Sequence, residues 1–490
     1  MLQKKICALL LSLMLLLTAS AGAEFMLPAD LTIIAEEAFY GDTSLTGTVE
    51  IPEGVIEIGA RAFGGCTNIQ QIILPPSVVE IAQEAFQGCE NAEFVVYEGS
   101  YAHTWCNEMG IVPTLQPTEE KGDIRIWVPA VMVDIVSEKV AEFAAEYDDA
   151  YAGYSLTVEE MNEMDAVTHL LTDLDASADL FIISQDHLER LAKIGALSEV
   201  PECGNAGSVA RAGAVVNGKS YGFPLTMDNG YFMYYDKSVI TDPTSLEQII
   251  ADCEAAGKTV NYEVNSGWYV AAFFFGAGCK LEYTVGTNGH VVDSDITIAS
   301  AQGVKALRSI INLVHSPAFR NNSSAFNVED QNLGVIVDGV WDENAIREIL
   351  GDNYAAAKMP KTNGMQLKCF SGGKYIGVKP QENRERQALI TELAAYLSCA
   401  DMQRMYYEHA RWLPADRDIH SNVASAAERA LVSQVTEASV LQRPYPGEYW
   451  SVMTAFIDKA IAGELNDCTD AELLKELEYI QYMLASYVVN

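Results

Sequence analysis

The sequence predicts a small repeat solenoid followed by a large body of α/β layers, in a chain of 490 residues. Two observations carry this. Near the N-terminus three consecutive segments repeat one another at a nearly fixed period, the mark of a solenoid whose units bury their faces on their neighbours. Beyond them, apolar runs that read as strands alternate with stretches of helical periodicity, the mark of α/β layering with mainly parallel sheets.

The chain opens with Lys4 and Lys5, then the apolar run "ICALLLSLMLLL", then "AGA" at 21–23. The run is too short for an ordinary membrane span, and small residues before position 24 suit signal peptidase. Residues 1–23 are therefore expected to be a signal peptide, with Glu24 as the mature N-terminus of an exported chain. No cysteine follows the apolar core, so the lipid-anchored version of such a signal is not expected. No later run is long and apolar enough to be a transmembrane helix.

Residues 24–111 hold "LPADLTIIAEEAFYGDTSL", "IPEGVIEIGARAFGGCTNI" and "LPPSVVEIAQEAFQGCENA", with Phe39, Phe63 and Phe86 at steps of 24 and 23. Ile34, Ile58 and Ile81 should stack in one ladder, and Ala38-Phe39 and its copies in another. Cys66 and Cys89 share one repeat position, where a ladder of small buried thiols is favoured over a disulfide. Ten cysteines less Cys7 leave nine, an odd number that rules out a complete disulfide framework. No CxxC pair or His/Cys cluster at zinc spacing occurs, so no metal is expected. The signature "IPxxVxxIxxxAFxxC" resembles the BspA-type leucine-rich repeats of bacterial surface proteins. "YEGSYAHTWCNEMGI", ending at Ile111, resembles the terminal unit of such arrays. The resemblance implies an attachment or interaction module, with a surface or protein partner.

"VPTLQPTEEKG", residues 112–122, is polar and carries two prolines, and reads as a linker. The body, 123–490, opens with the strand "DIRIWVPA". Val136, Val140, Phe143 and Tyr147 then recur along one helix face. "ADLFIIS" reads as a buried strand and "HLERLAKIGAL" as a helix. In "GVIVDGVWDENAI", residues 334–346, an apolar strand meets the turn Asp338-Gly339, then Trp341, then the acidic start of a helix. Late in the chain helices dominate, including "RQALITELAAYLSCADMQRMYYEHA".

A formal net charge of −37 argues against nucleic acid and anionic membranes, since both repel it. GxSxG, HExxH, a phosphate loop and GxGxxG are all absent, and none of the seven histidines pairs locally with a nucleophile. No enzyme, no catalytic residue and no cofactor is expected. What stands out is aromatic placement. Trp341, Trp268 in "NYEVNSGWYVAAFFFGAG" and Trp450 in "RPYPGEYWSVMTAFIDKAIAGE" all sit at loop-to-helix junctions. In α/β sheets, ligands gather in the crevice at the carboxyl ends of strands. Core packing is the alternative for each ring singly; three at comparable junctions point to a ligand.

Three further stretches carry a resemblance. "VNGKSYGFPLTMDNGYFMYYDKSVI", "GVIVDGVWDENAI" and "ARWLPADRDI" resemble motifs of the extracellular solute-binding proteins of carbohydrate ABC transporters, with Asp236 where the family has Asn. The likeness runs from about Asp123 to the C-terminus. It implies a two-lobed, maltose-binding-protein-like (type II periplasmic-binding) α/β fold. One lobe would hold about 123–228 and 360–411, the other about 229–359 and 412–490. In relatives the tryptophan matching Trp341 stacks on a sugar ring, Trp450 falls at another stacking position, and Trp268 lies close to a third. Asp228, Asp186 and Glu159 match or lie near acidic contacts to sugar hydroxyls. Ile183 and Ala130-Val131 depart from the family's ligand contacts, so a short or differently shaped neutral oligosaccharide is expected over long maltodextrin. The partners implied are that small-molecule ligand and an ABC-transporter permease. Two alternatives stand beside this reading, a surface adhesin or glycan sensor without a transporter, and a receptor for a polyamine-type cation.

Overall fold

The computed structural model describes residues 25–29, 31–116, 121–328, 332–420 and 422–488. The expected signal peptide, its cleavage after Ala23 and Cys7 lie outside the described residues. Among the described residues, those up to 123 together with 142–155 make one compact unit, and 124–141 with those from 156 onward make the other.

The first unit is the solenoid. Short parallel strands Ile33–Ile34, Glu57–Ile58 and Glu80–Ile81 set Ile34, Ile58 and Ile81 side by side. A second parallel sheet runs Gly47–Glu50, Ile69–Leu74, Glu93–Tyr97 and Thr114–Gln116 in chain order. The phenylalanine period becomes a stack: Phe63 is fully buried, with ring centroids 5.1 Å from Phe39 and 5.4 Å from Phe86. A single repeat could not cover such rings, so each depends on the next for its burial. Trp105, on a helix Tyr101–Glu108 capped by the Ser100 side chain, closes the stack edge-on to Phe86. Cys66 Sγ donates to the Phe39 carbonyl at 3.0 Å, and Cys89 Sγ makes the same bond to Phe63 at 3.2 Å. Both thiols are free, and burial pushes Cys89 up to about 11.

Two local expectations change. Within the expected linker, Thr114–Gln116 is a strand paired with Val95–Tyr97. An edge strand needs only its backbone to pair, so a polar stretch flanked by prolines can supply one. The helix bearing Val136, Val140 and Phe143 ends at Glu146, which leaves Tyr147 beyond it and 42% exposed.

The second unit is built on two five-stranded sheets. Their strands, in chain order, are β1 (Gly122–Val128), β2 (Tyr154–Glu160), β3 (Leu180–Ser184), β4 (Phe223–Pro224), β5 (Phe232–Asp236), β6 (Thr259–Asn261), β7 (Phe319–Arg320), β8 (Leu333–Asp338), β9 (Tyr354–Ala357) and β10 (Lys374–Val378). One sheet runs β4-β10-β3-β1-β2 and the other β7-β6-β8-β5-β9. Helices cover each sheet, and each has its own core, so the unit has two lobes.

The sheets are mixed, not mainly parallel. β3 runs parallel to β1, but β10 is antiparallel to both β3 and β4. β6 runs parallel to β7 and β8, but β5 is antiparallel to β8 and β9. Connectivity explains this. β5 and β10 enter their sheets directly from the other lobe, without the helical crossover that a parallel neighbour requires.

The chain therefore crosses between lobes in neighbouring segments. Asn229 and Gly372 exchange backbone hydrogen bonds at 3.2 and 3.0 Å, and the Gln442 N–H donates to the Ser371 carbonyl at 2.8 Å. A Cβ on Gly373 would lie 1.9 Å from the Thr226 carbonyl oxygen, so only glycine lets these two backbones approach. The crossing starts later than the resemblance implied. Met359, Leu367, Cys369 and Phe370 are buried in the second lobe's core with Phe273–Phe275, so the stretch after 360 packs with that lobe as far as Ser371. Among the described residues no helix is long and apolar enough to cross a membrane.

Gly373→Ala should lower unfolding free energy by about 1–3 kcal/mol, the range for a forced steric overlap. Urea denaturation checks this. An unchanged midpoint would show that the crossing segments separate without cost.

Candidate functional site

On the second lobe, β8 is buried along its whole length and ends at Asp338. A Cβ on Gly339 would lie 2.1 Å from the Trp341 ring, so the glycine lets that ring fold back over its own backbone. A turn of 3₁₀ helix, Val340–Asp342, then presents Trp341 with 54% of its surface exposed. Trp268 opens the helix Gly267–Gly276, its ring centroid 6.1 Å from that of Trp341 at a tilt of 38°. Tyr231 braces Trp268 edge-on at 4.6 Å. Trp450, near the start of the helix Glu448–Ile461, packs on Tyr445 and Tyr449 with centroids 5.6 and 4.8 Å away. A Cβ on Gly267 would meet the Trp450 ring at 3.3 Å, so the three tryptophans form one neighbourhood. Much of the Trp450 ring serves the core.

Beneath Trp341 lies Asp338, fully buried. Its Oδ1 accepts from the Gly339 N–H at 2.7 Å and from the Tyr269 hydroxyl at 3.3 Å. Burial pushes this carboxyl up to about 8; the Gly339 N–H pulls the other way and the Asp342 charge adds to the rise. Burial thus favours the uncharged form of Asp338.

On the first lobe the carboxyl end of β3 leads into the helix Gln185–Lys193, with Asp186 in its first turn. Lys374, at the start of β10, lies opposite Ser184 in register. Its Nζ donates to Glu163 Oε1 at 2.6 Å and sits 5.4 Å from the centre of the Trp412 ring. Asp228 accepts from the Thr226 hydroxyl at 2.7 Å. Burial raises the Asp228 carboxyl, Lys374 opposes that rise and Glu163 adds to it. Gln185 is 3% exposed, and its Oε1 has no hydrogen-bond partner among the described residues.

The two halves are joined through the crossing segments. Asn229 Nδ2 donates to Gln442 Oε1 at 3.4 Å, and Trp268 Nε1 donates to the same oxygen at 3.2 Å. A line of contacts thus runs from the residue next to Asp228 to Trp268 and on to Trp341.

Of the residues singled out from sequence, Trp341, Trp268 and Trp450 come together on one lobe, and Asp228 and Asp186 share the surroundings of Lys374 on the other. Glu159 is placed differently. Arg125 Nη2 and Nε reach its carboxylate at 2.7 and 3.0 Å and the Trp127 indole N–H at 2.8 Å, which ties β2 to β1. The Arg125 guanidinium holds this carboxyl below its usual range. The structure thus places Glu159 against Arg125 and Trp127 and gives it no contact with the Lys374 cluster among the hydrogen bonds of the described residues. Sequence reading missed Lys374, Glu163, Trp412 and Gln442. Trp412 stood inside a quoted motif, "ARWLPADRDI", and was the one detectable signal among them.

Residues 140–429 match a family profile described as Bacterial extracellular solute-binding protein, and residues 20–104 one described as BspA type Leucine rich repeat region (6 copies). A maltooligosaccharide ABC transporter solute-binding lipoprotein of Streptococcus pneumoniae (strain ATCC BAA-255 / R6) is 23% identical over 396 residues, 74% of this chain and 92% of its own. Among solved structures, the maltodextrin binding protein MalE1 from L. casei BL23, without ligand, has a TM-score of 0.64 at 22% identity, covering 74% of this chain and 99% of its own. The maltose-binding periplasmic protein MalE from Listeria monocytogenes, in complex with maltose, has a TM-score of 0.61 at 17% identity, covering 76% and 100%. At these identities the structural likeness carries the fold.

The position of Asp338 has a consequence for pH. Its folded pKa is raised above the unfolded carboxyl's, about 3.9, so its contribution to stability is complete below that value. The contribution is lost as pH rises toward about 8. Asp338→Asn keeps an uncharged polar group there. Urea unfolding at pH 5 and pH 8.5 should show the wild type losing more stability than Asp338→Asn across that interval, by on the order of a few kcal/mol. Equal losses would show that Asp338 ionises freely.

Proposed function

Because the chain belongs to the bacterial extracellular solute-binding protein family, we propose that it is a sugar receptor that captures a short neutral oligosaccharide between its lobes. The observation that carries this reading is Trp341, an exposed indole face tilted against Trp268, whose own indole N–H donates to Gln442 beside Asn229 at the crossing to the other lobe. Indole faces suit the C–H-rich faces of pyranose rings, while carboxylates and an ammonium suit their hydroxyls. On this reading Trp341 and Trp268 form the platform and Trp450 braces it. Asp228 and Asp186 reach the ligand from the first lobe. Ligand binding closes the lobes by rotation about the crossing segments, a shift between open and closed populations. The closed form is then presented to an ABC-transporter permease, with no chemistry done on the ligand.

The relatives support the sugar class. The pneumococcal protein's description names maltooligosaccharide, and the Listeria protein was solved with maltose. Magnitudes support a shared site. A tryptophan presents about 200 Å², and half of that covered at ~25 cal/mol per Å² contributes about 2.5 kcal/mol. Micromolar binding needs about 8 kcal/mol net. Association itself costs about 4 kcal/mol or more. Aromatic stacking alone therefore falls short, and the polar lobe must supply the remainder.

Calorimetry of the intact protein against neutral oligosaccharides tests this. Trp341→Ala should weaken binding of the best glycan roughly 10- to 100-fold, the loss of one stacking face. Trp450→Ala should lower stability more than affinity, because its ring packs on Tyr445 and Tyr449. Unchanged affinity in Trp341→Ala would remove the stacking platform from the account.

A further inference from the structure

Tryptophans beside carboxylates suit a cationic ligand as well as a sugar. On the first lobe one such place, a single indole face beside carboxylates, already holds a cation. Lys374 Nζ donates to Glu163 Oε1 at 2.6 Å and lies 5.4 Å from the centre of the Trp412 ring. Asp228 and Asp186 act on the same ammonium. Burial alone would lower its pKa, yet Asp228, Glu163 and Asp186 together raise it. The stem is anchored where the chain leaves the glycine crossing. The Lys374 N–H donates to the Thr226 hydroxyl at 2.9 Å, and that hydroxyl in turn donates to Asp228 at 2.7 Å. One backbone position therefore fixes both the ammonium and one of the carboxylates it neutralises.

An ammonium over an indole face and among carboxylates is the arrangement by which a protein binds an amine. Here the amine is the protein's own. A free amine would have to displace a tethered competitor present at high effective concentration. An uncharged sugar need displace nothing. Its hydroxyls can donate to the carboxylates and accept from Lys374 while the charges stay compensated. Taking Lys374 away would leave the neighbouring carboxylates partly buried and unneutralised, a costly state that an added amine could relieve.

We propose that Lys374 is a specificity-determining residue, a resident cation that occupies the place between the Trp412 face and the Glu163 carboxylate on the first lobe, excludes amine ligands and keeps the site selective for uncharged sugars. The sugar half of this inference rests on the receptor reading above. The amine half stands on the geometry of that place.

The test uses the full chain as wild type, Lys374→Ala, Lys374→Gln and Lys374→Arg, with putrescine, n-propylammonium and maltotriose as probes in calorimetry. Thermal melts establish which variants are folded, and Lys374→Gln, which keeps the stem and a donor, serves if Lys374→Ala does not fold. The charge-removing variants should bind putrescine at least about tenfold more tightly than wild type and maltotriose at least about tenfold more weakly. Added n-propylammonium should restore part of the maltotriose affinity of Lys374→Ala, and Lys374→Arg should still exclude putrescine. The proposal is overturned if wild type binds putrescine as tightly as the charge-removing variants do, or if those variants bind both probes as wild type does. If no protein in the series binds maltotriose, the sugar reading fails for this probe, and the putrescine comparison still decides whether Lys374 is the occupant of that place.

Discussion

The close approach of two backbones at Gly373 is the constraint on which the candidate site depends. With 1.9 Å between a would-be Cβ and the Thr226 carbonyl oxygen, no side chain fits, so the two crossing segments lie in direct contact. Several polar groups of the site are set from there. Asn229 pairs with Gly372 and reaches Gln442, Gln442 holds the Trp268 indole, and Lys374 starts β10 one residue beyond Gly373. The same segments are the covalent links between lobes, and hinge residues are drawn from such element ends. Under the proposed closure, rotation between the lobes would act on the same few residues that set the geometry of the candidate site.

A chain with a formal charge of −37 faces the problem of placing carboxylates near a ligand without mutual repulsion. Two solutions are visible. Asp338 is buried beneath the Trp341 turn, and that burial favours its uncharged form. Asp228 and Glu163 share the Lys374 ammonium. The first solution gives the Trp341 turn an acceptor for the Gly339 N–H while disfavouring a net charge under the indole. The second keeps oxygen acceptors in the first lobe while limiting its negative field. Exposed pairs elsewhere on the surface add little to stability by comparison.

What was legible in the sequence follows the range of the signal. The solenoid repeats its apolar positions every 23 or 24 residues, and local periodicity was enough to place the Phe39, Phe63 and Phe86 stack. Trp341 was legible because an apolar strand, a turn and a tryptophan are adjacent in the chain. Thr114–Gln116 was not, because an edge strand needs no apolar pattern. Glu159 and Glu163 show the limit within one short stretch. Both are acidic and four residues apart, but Glu159 stands on β2 facing Arg125 and Trp127, while Glu163 opens the next helix and reaches Lys374. Asn162, the helix cap between them, marks the change of element but not the partner each carboxylate finds. Lys374 was invisible for the same reason, since its partners Glu163 and Asp228 are brought to it only by the pairing of β10 with β3 and β4.

The central claim is that one ligand bridges two lobes joined at a glycine crossing. Hydrogen exchange of the intact protein, with and without the tightest-binding neutral oligosaccharide, measures this most directly. The account predicts that protection rises together in peptides covering Gly339–Glu343 on the second lobe, Gln185–Leu188 on the first, and Ser371–Tyr375 at the crossing, with the solenoid's exchange unchanged. Protection confined to one lobe, or appearing only in the solenoid, would contradict it.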